Sequence, residues 1–297
     1  MAVIGNQVGL TVDRVILATD FSPASESATR YAKKLAKRFS SSLTLAHVVD
    51  LSIAIRSAQV AAGLPIDDMH RSSSENLERL LRNLTLEGIQ ATAQTLESHN
   101  PAAAIVGLSE QLKADLIVAG THSRHGLKKA VLGSCAEGIF RHASCPVVTV
   151  GPNADVPPDG DIVFNTIVFA TDFNTSAAEK AAVALAFAQD SMAKIYLCHV
   201  LKRAGDDVSE TLRLQIKFES VLQKLIPQSA FDWCSPECVV EIGESAPHIL
   251  ALARRVRADL IILGASRSST WFAHLADGVV GQVLANAECP VMTICSH

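Results

Sequence analysis

The sequence has no apolar run approaching the roughly 20 residues that a bilayer crossing requires. A representative stretch, Ala181 to Ala188, ends at Gln189 and Asp190. No membrane span is therefore expected, although the mean hydropathy of +0.25 is high for a soluble protein. Met1 to Leu10 has no basic segment leading into an apolar one, so no secretory signal is expected. Charge of one sign is also lacking. Twenty-six Lys and Arg against 30 Asp and Glu leave a net charge of -4, too little for a broad field toward nucleic acid or an anionic membrane. Seven cysteines is an odd count at irregular spacing, which suits reduced thiols in the cytoplasm better than a disulfide framework. Cys234 and Cys238 stand as Cys-x3-Cys without a second ligand pair nearby, so no zinc site is expected. Finally, no loop has the lysine spacing of a P-loop, and no Gly-x-Gly-x-x-Gly follows a strand.

What is present is a repeat. Val15-Ile16-Leu17-Ala18-Thr19-Asp20-Phe21 returns as Ile167-Val168-Phe169-Ala170-Thr171-Asp172-Phe173, and the offset of 152 holds as far as His47-Val48 and His199-Val200. Farther on, Ala114-Asp115-Leu116-Ile117 matches Ala258-Asp259-Leu260-Ile261, and Cys145-Pro146-Val147 matches Cys289-Pro290-Val291, both at 144. The first half thus carries eight extra residues between Val48 and Ala114. A Pro-, Gly- and Asp-rich stretch, Gly151 to Asp161, reads as a linker with no packed role. The expected organisation is a first domain over 1–152, a linker over 153–163 and a second domain over 164–297.

Each half alternates strand and helix. Val15 to Ala18 is a short apolar, β-branched run, as in a strand buried on both faces. Ser22-Pro23 then supplies an N-cap and a first-turn proline. Ala28, Tyr31, Ala32, Leu35, Ala36 and Phe39 mark one helical face, and Leu43 to Val49 is a second strand. Leu77, Leu80, Leu81 and Leu84 define a second helix, with Asp67-Asp68 (and Asp206-Asp207 in the repeat) as charge ahead of its start. Ile89 to Leu96, Leu116 to Ala119 and Val147 to Val150 are further strands; Ala103 to Leu112 and Ser134 to His142 are helices. Alternation of this kind predicts an α/β fold, a parallel sheet with right-handed crossovers and helices on both faces.

Ligands bind such sheets beyond the carboxyl ends of the strands, where strand order reverses. Asp20 ends the first strand and Gly120 the fourth; an order of 3-2-1-4-5 makes them neighbours. Gly120 opens a stretch with Arg124, Lys128 and Lys129 that closes at Gly133-Ser134, where a helix begins. Free amides and the dipole at a helix start favour an anion.

In these residues the chain resembles the universal stress protein family over nearly all of both halves. The marks are Thr19-Asp20-Phe21-Ser22, His47-Val48, Cys145-Pro146-Val147 and the loop Gly120-x2-Ser123-x9-Gly133-Ser134. The resemblance implies two Rossmann-like domains of the adenine nucleotide α-hydrolase type, each a five-stranded parallel sheet of order 3-2-1-4-5. It also implies ATP as the ligand, with adenine and ribose near Ala18, Thr19, Asp20 and Val48. Its phosphates, with Mg²⁺ as their companion ion, would lie along Gly120, His122, Ser123, Arg124, Gly133, Ser134 and Cys135. Ser123 departs from the family loop, which has a second glycine there. In the second half, an offset of 144 puts Arg267 at that glycine, Phe272 and Ala273 at Lys128 and Lys129, and Asp277 at Gly133. A one-residue shift would put Gly278 there instead. Nucleotide is therefore expected mainly in the first half.

Simpler roles compete for several residues. Asp20 and Asp172 could cap the following turn or helix, His47 and His199 are expected as ordinary strand-end histidines, and His122 and His125 as solvated loop residues. Cys145 and Cys289 are read as packing residues and Cys135 as unreactive. Nothing in the loop provides a general base or positions a water, so slow ATP hydrolysis is the most that is expected. The leading reading is a regulatory nucleotide-binding module of the stress-response type, acting on a protein partner. The second is a dimerising scaffold of the same family without nucleotide. The third, an enzyme on a similar fold such as an adenylate-forming ligase or a flavoprotein, lacks its His-x-Gly-His or Ser-Gly-Gly-x-Asp-Ser signature. The apolar fifth strands, Val147 to Val150 and Val291 to Ile294, are edges that call for a partner. They are expected to join the halves about a pseudo-two-fold axis, and a homodimer would be a further step.

Overall fold

A computed structural model describes residues 3–4, 7–8, 10–52, 66–121, 133–157, 159–173, 176–202, 208–266 and 278–296. In the first half, β1 (Arg14–Ala18), α1 (Pro23–Phe39), β2 (Ser42–Asp50), α2 (Ile66–Leu86) and β3 (Ala91–Ser98) come in that order. They are followed by α3 (Pro101–Gln111), β4 (Leu116–Gly120), α4 (Ser134–His142) and β5 (Val147–Val150). The second half repeats the series as β6 (Thr166–Thr171), α5 (Ala177–Ser191), β7 (Lys194–Leu201), α6 (Val208–Gln223) and β8 (Pro236–Ile242). A 3-10 turn, Gln228–Asp232, intervenes before β8; α7 (Ser245–Val256), β9 (Leu260–Ser266), α8 (Val279–Asn286) and β10 (Val291–Ser296) complete it. Ahead of β1, Val3–Ile4 pairs antiparallel with Gln7–Val8.

The strands form one 10-stranded sheet, ordered β8-β7-β6-β9-β10-β5-β4-β1-β2-β3. Pairing within each half is parallel, with the order 3-2-1-4-5. The halves meet where β10 pairs antiparallel with β5, Val291 opposite Thr149 and Thr293 opposite Val147. Joining the two apolar edges covers the ladder groups each would otherwise present.

Strand alternation divides the core. Val15 and Leu17 face the layer that includes α1, whereas Ile16 faces the layer of α3 and α4, and none is more than 1% exposed. Each layer runs through both halves. α1 starts as its sequence dictates, with Ser22 as N-cap accepting a hydrogen bond from Ser25 N and Pro23 at its start. α3 and α4 approach so closely that a Cβ added to Gly138 would lie 2.5 Å from Ala102 Cβ.

Three expectations need correction. The third strand begins at Ala91, where pairing with Leu43 starts, because Ile89 still belongs to the turn set by Gly88 at φ 76°. Asp67 and Asp68 lie inside the first turn of α2, which begins at Ile66; Asp206 and Asp207 lie outside the described residues. The connecting segment does pack: Val156 is 7% and Ile162 8% exposed, and Asp155 N donates to Glu288 O at 2.9 Å. Its polar composition concealed two apolar anchors.

Candidate functional site

The carboxyl ends of β1, β2 and β4 surround a cavity of about 1060 Å³ at the point where strand order reverses. Ala18, Thr19 and Asp20 enter from β1, Val48 from β2, Gly120 from β4, and Gly133, Ser134 and Cys135 from the start of α4. Eight of the eleven residues expected at the site thus share one cavity. The other three, His122, Ser123 and Arg124, lie outside the described residues, as do His125, Lys128 and Lys129.

Local hydrogen bonding shapes the end of β1. Thr19 N donates to Ala46 O at 3.0 Å, extending the sheet by one residue. Asp20 Oδ1 accepts from Ser22 N at 3.0 Å, and Thr19 Oγ1 from Phe21 N at 3.1 Å. Between them Phe21 adopts φ 59°, a left-handed conformation that is costly for a bulky side chain. Its ring rests on His47, centroids 4.7 Å apart. The aspartate therefore does bind a turn amide, as the simpler reading held, while also lining the cavity.

His47 is more than a bystander. Its Nδ1 lies 2.9 Å from Thr19 O, and since a carbonyl only accepts, Nδ1 carries the proton. Burial holds its pKa below 6.5, against the raising effects of this bond and of Asp20. The second half repeats the device. His199 Nδ1 donates to Thr171 O at 2.8 Å, Phe173 stands at φ 55°, and burial likewise lowers the His199 pKa.

The wall opposite β1 is the start of α4. Gly133 caps it without a side-chain hydrogen bond, and the first intrahelical bond runs from Glu137 N to Gly133 O at 2.9 Å. The amides of Ser134, Cys135 and Ala136 precede that bond and are aligned with the helix dipole, an arrangement suited to an anion. Burial, then the charges of Asp20 and Asp50, push the Cys135 thiol up to about 11, so it is protonated at neutral pH.

Several lining residues were not foreseen: Asp50 and Ser52 at the end of β2, Met69 and Ser73 on α2, and His99 and Asn100 after β3. The strand-end rule that selected Asp20 and Gly120 would have pointed to Asp50 and His99 had it been applied to the second and third strands. Among the described residues, no group of three or more His, Cys, Asp and Glu could hold a metal ion.

In the second half α8 begins at Val279 with Gly278 as its cap. Gly278, not Asp277, therefore takes the place of Gly133. The helix ends keep the offset of 144, with Ala143 and Ala287 as the two C-caps, and α8 is shorter at its start by one residue. Asp277 itself lies outside the described residues, as do Arg267, Phe272 and Ala273. Val279 replaces the Ser134 hydroxyl with an apolar side chain. Phe218 of α6 stacks on His199, centroids 4.8 Å apart, and lies 5.5 Å from Phe173, adding a third ring at this strand end.

Fold and cavity together define a duplicated, doubly wound α/β protein with a ligand-sized cavity at the switch point of its first half. The universal stress protein family model matches residues 11–151 and 164–294, and the chain belongs to that family. A universal stress protein of Methanocaldococcus jannaschii is 31% identical over 138 residues, 46% of this chain and 81% of the relative. Among solved structures, a universal stress protein from Archaeoglobus fulgidus superposes with a TM-score of 0.72 at 19% identity, covering 96% of this chain and 97% of that one. A functionally unknown protein from Pseudomonas aeruginosa gives 0.61 at 15%, covering 96% and 92%. At such identities these two likenesses concern the fold. No described helix is long and apolar enough to cross a membrane.

Proposed function

We propose that the chain is a cytoplasmic regulatory module that binds ATP in its first half and presents a nucleotide-dependent surface to a protein partner. The observation that carries the reading is the switch-point cavity, where Asp20 and the open amino end of α4 face one another across room for a nucleotide. The ribose hydroxyls are donors suited to the Asp20 carboxylate, and Ala18 and Val48 offer the base an apolar seat. The phosphates suit Gly120, Gly133, Ser134 and the Cys135 amide, with His122, Ser123 and Arg124 completing the set on the family pattern. Mg²⁺ would travel with the phosphates. Bound ATP would supply negative charge and a rigid strut between β1 and α4, which this chain's own amides and Asp20 orient.

The second half is assigned a lesser role because Phe218 crowds its strand end, Val279 lacks a hydroxyl, and Lys202 stands where the first half has Asp50. Calorimetric titration of the full chain with Mg²⁺-ATP is expected to give one site per chain, lost in Gly133→Val. Two equivalent sites would defeat the assignment to the first half. Unchanged affinity in the variant would defeat the placement of the phosphates.

A further inference from the structure

The ten-stranded sheet ends in β3 in the first half and in β8 in the second. The two edges hold equivalent places in the repeat, since Thr95 of β3 lies beside His47 and Val240 of β8 beside His199. Their chemistry differs. In a parallel ladder, alternate residues turn both backbone groups toward the neighbouring strand. Gly243 N donates to Leu201 O at 2.8 Å, so Pro236, Cys238, Val240 and Ile242 are the residues of β8 that face outward. Pro236 has no N–H to offer, and the outward carbonyl of Val240 accepts from Gln215 Nε2 at 3.3 Å. A proline and a covered carbonyl blunt an edge against further pairing.

β3 has neither. Leu43 N donates to Gln90 O at 2.9 Å, which turns Thr92, Gln94, Leu96 and Ser98 toward β2. Ala91, Ala93, Thr95 and Glu97 therefore point their N–H and C=O groups out of the sheet. None of these outward groups is hydrogen-bonded among the described residues. Thr95 and Glu97 are exposed, and Ala91 and Ala93 are half-buried. Ala91 stands where β8 has Pro236, and Glu97 is the one charged residue of the strand. β3 is eight residues long, and an open edge of that length is a template for another strand.

The sequence of β3 also complements itself. Antiparallel pairing about a two-fold axis at Gln94 sets Ala91 opposite Glu97, and Ala93 opposite Thr95, of a second copy. Every outward N–H then meets an outward C=O. Between these pairs Gln94 faces its own copy, where each amide can both donate and accept, and Thr92 faces Leu96. No like charges meet, because Glu97 has an alanine opposite it and already lies 3.2 Å from His70 Nε2. The chain closes two of its other edges by the same kind of pairing, β5 with β10.

We propose that β3 is a homodimer interface, pairing antiparallel with β3 of a second copy so that one sheet runs through both chains. Each copy uses β3 once and β8 is blunted, so assembly closes at two copies. The pairing involves no nucleotide, so its test does not depend on ATP binding.

The test is sedimentation velocity of the full chain over a range of concentrations. A concentration-dependent dimer is expected. Ala93→Pro removes an N–H that bonds nothing within the chain, and Pro is tolerated at such a place on an edge strand. It should weaken the dimer roughly tenfold or more, the scale of two hydrogen bonds lost about the axis. Gln215→Ala, at the opposite edge, should leave the dimer unchanged. A second reading comes from cross-linking. The proposed register puts the two Gln94 Cα atoms about 4.5 Å apart, within disulfide reach. Mild oxidation should therefore link two copies of Gln94→Cys at that position and should not link Thr95→Cys, as peptide mass analysis would show. A wild type that stays monomeric overturns the proposal and leaves the edge to a strand from another protein. A dimer unaffected by Ala93→Pro, or a Gln94→Cys variant that never links to itself, overturns it as well.

Discussion

Arg38 and Asp190 occupy the same position in the two copies of the repeat, 152 residues apart, and they bind each other: Arg38 Nη2 lies 2.6 Å from Asp190 Oδ2. The guanidinium also donates to Ser191 Oγ at 2.8 Å and Ile162 O at 3.2 Å. Beside it, Phe187 meets Phe39 and Phe164 edge to face, each pair with centroids 6.1 Å apart. In a dimer of identical chains, a position near the two-fold axis faces itself, and two arginines there would repel. Duplication within one chain lets that position carry opposite charges.

Arg38→Ala is expected to lower stability by about 1–2 kcal/mol, since the group is three-quarters buried and makes several bonds. Exchanging the charges in Arg38→Asp with Asp190→Arg should recover part of the loss. Urea unfolding of the three variants measures both effects, and a double variant weaker than either single one would contradict the pairing.

Gly138→Ala places a Cβ 2.5 Å from Ala102 Cβ, between α3 and α4. Overpacking of this kind costs about 1–3 kcal/mol, more than the helix gains by losing a glycine. The melting temperature should fall, and adding Ala102→Gly should restore most of it.

His47 and His199 both have pKa values held below 6.5 by burial. The unfolded chain therefore takes up protons first as pH drops. Their contribution to stability is complete above about 6.5 and is lost as pH falls from there toward the folded-state values. Melting temperature followed from pH 7.5 to 5 should decline more in the wild type than in His47→Asn with His199→Asn. Parallel curves would show that these imidazoles are not the source.

Asp20→Ala should weaken ATP by roughly tenfold or more, the scale of a lost hydrogen bond to a charged group. Asp172→Ala, at the same place in the second half, should leave the titration nearly unchanged. Equal losses in both would assign nucleotide to both halves.

Cys135, with its thiol pushed up to about 11, should alkylate at pH 7.5 about two orders of magnitude more slowly than an unperturbed cysteine of pKa near 8.5. Peptide mass analysis after iodoacetamide treatment gives the rate, and reaction at the ordinary rate would mean that this strand-helix junction opens readily.

Much of this molecule was legible in one dimension. The spacing of Ala28, Tyr31, Ala32, Leu35 and Ala36 specifies a helix and its buried face, and Val15 to Ala18 a strand buried on both sides, because side-chain periodicity is a local property. Ser22 and Gly133 marked helix starts by the same local chemistry. Duplication was visible directly, and Asp20 and Gly120 followed from a general rule about strand ends. Other features depended on residues distant in sequence. Gly278 rather than Asp277 caps α8, one residue later than the repeat offset of 144 places the helix start. Val156 and Ile162 pack although their neighbours are polar, and His47 orients the end of β1 through a bond across the sheet. The antiparallel seam between β5 and β10 and the Arg38–Asp190 contact both arise where the halves meet. Periodicity tells each segment which face to bury, but which surfaces come together is decided only when the packed halves close on one another.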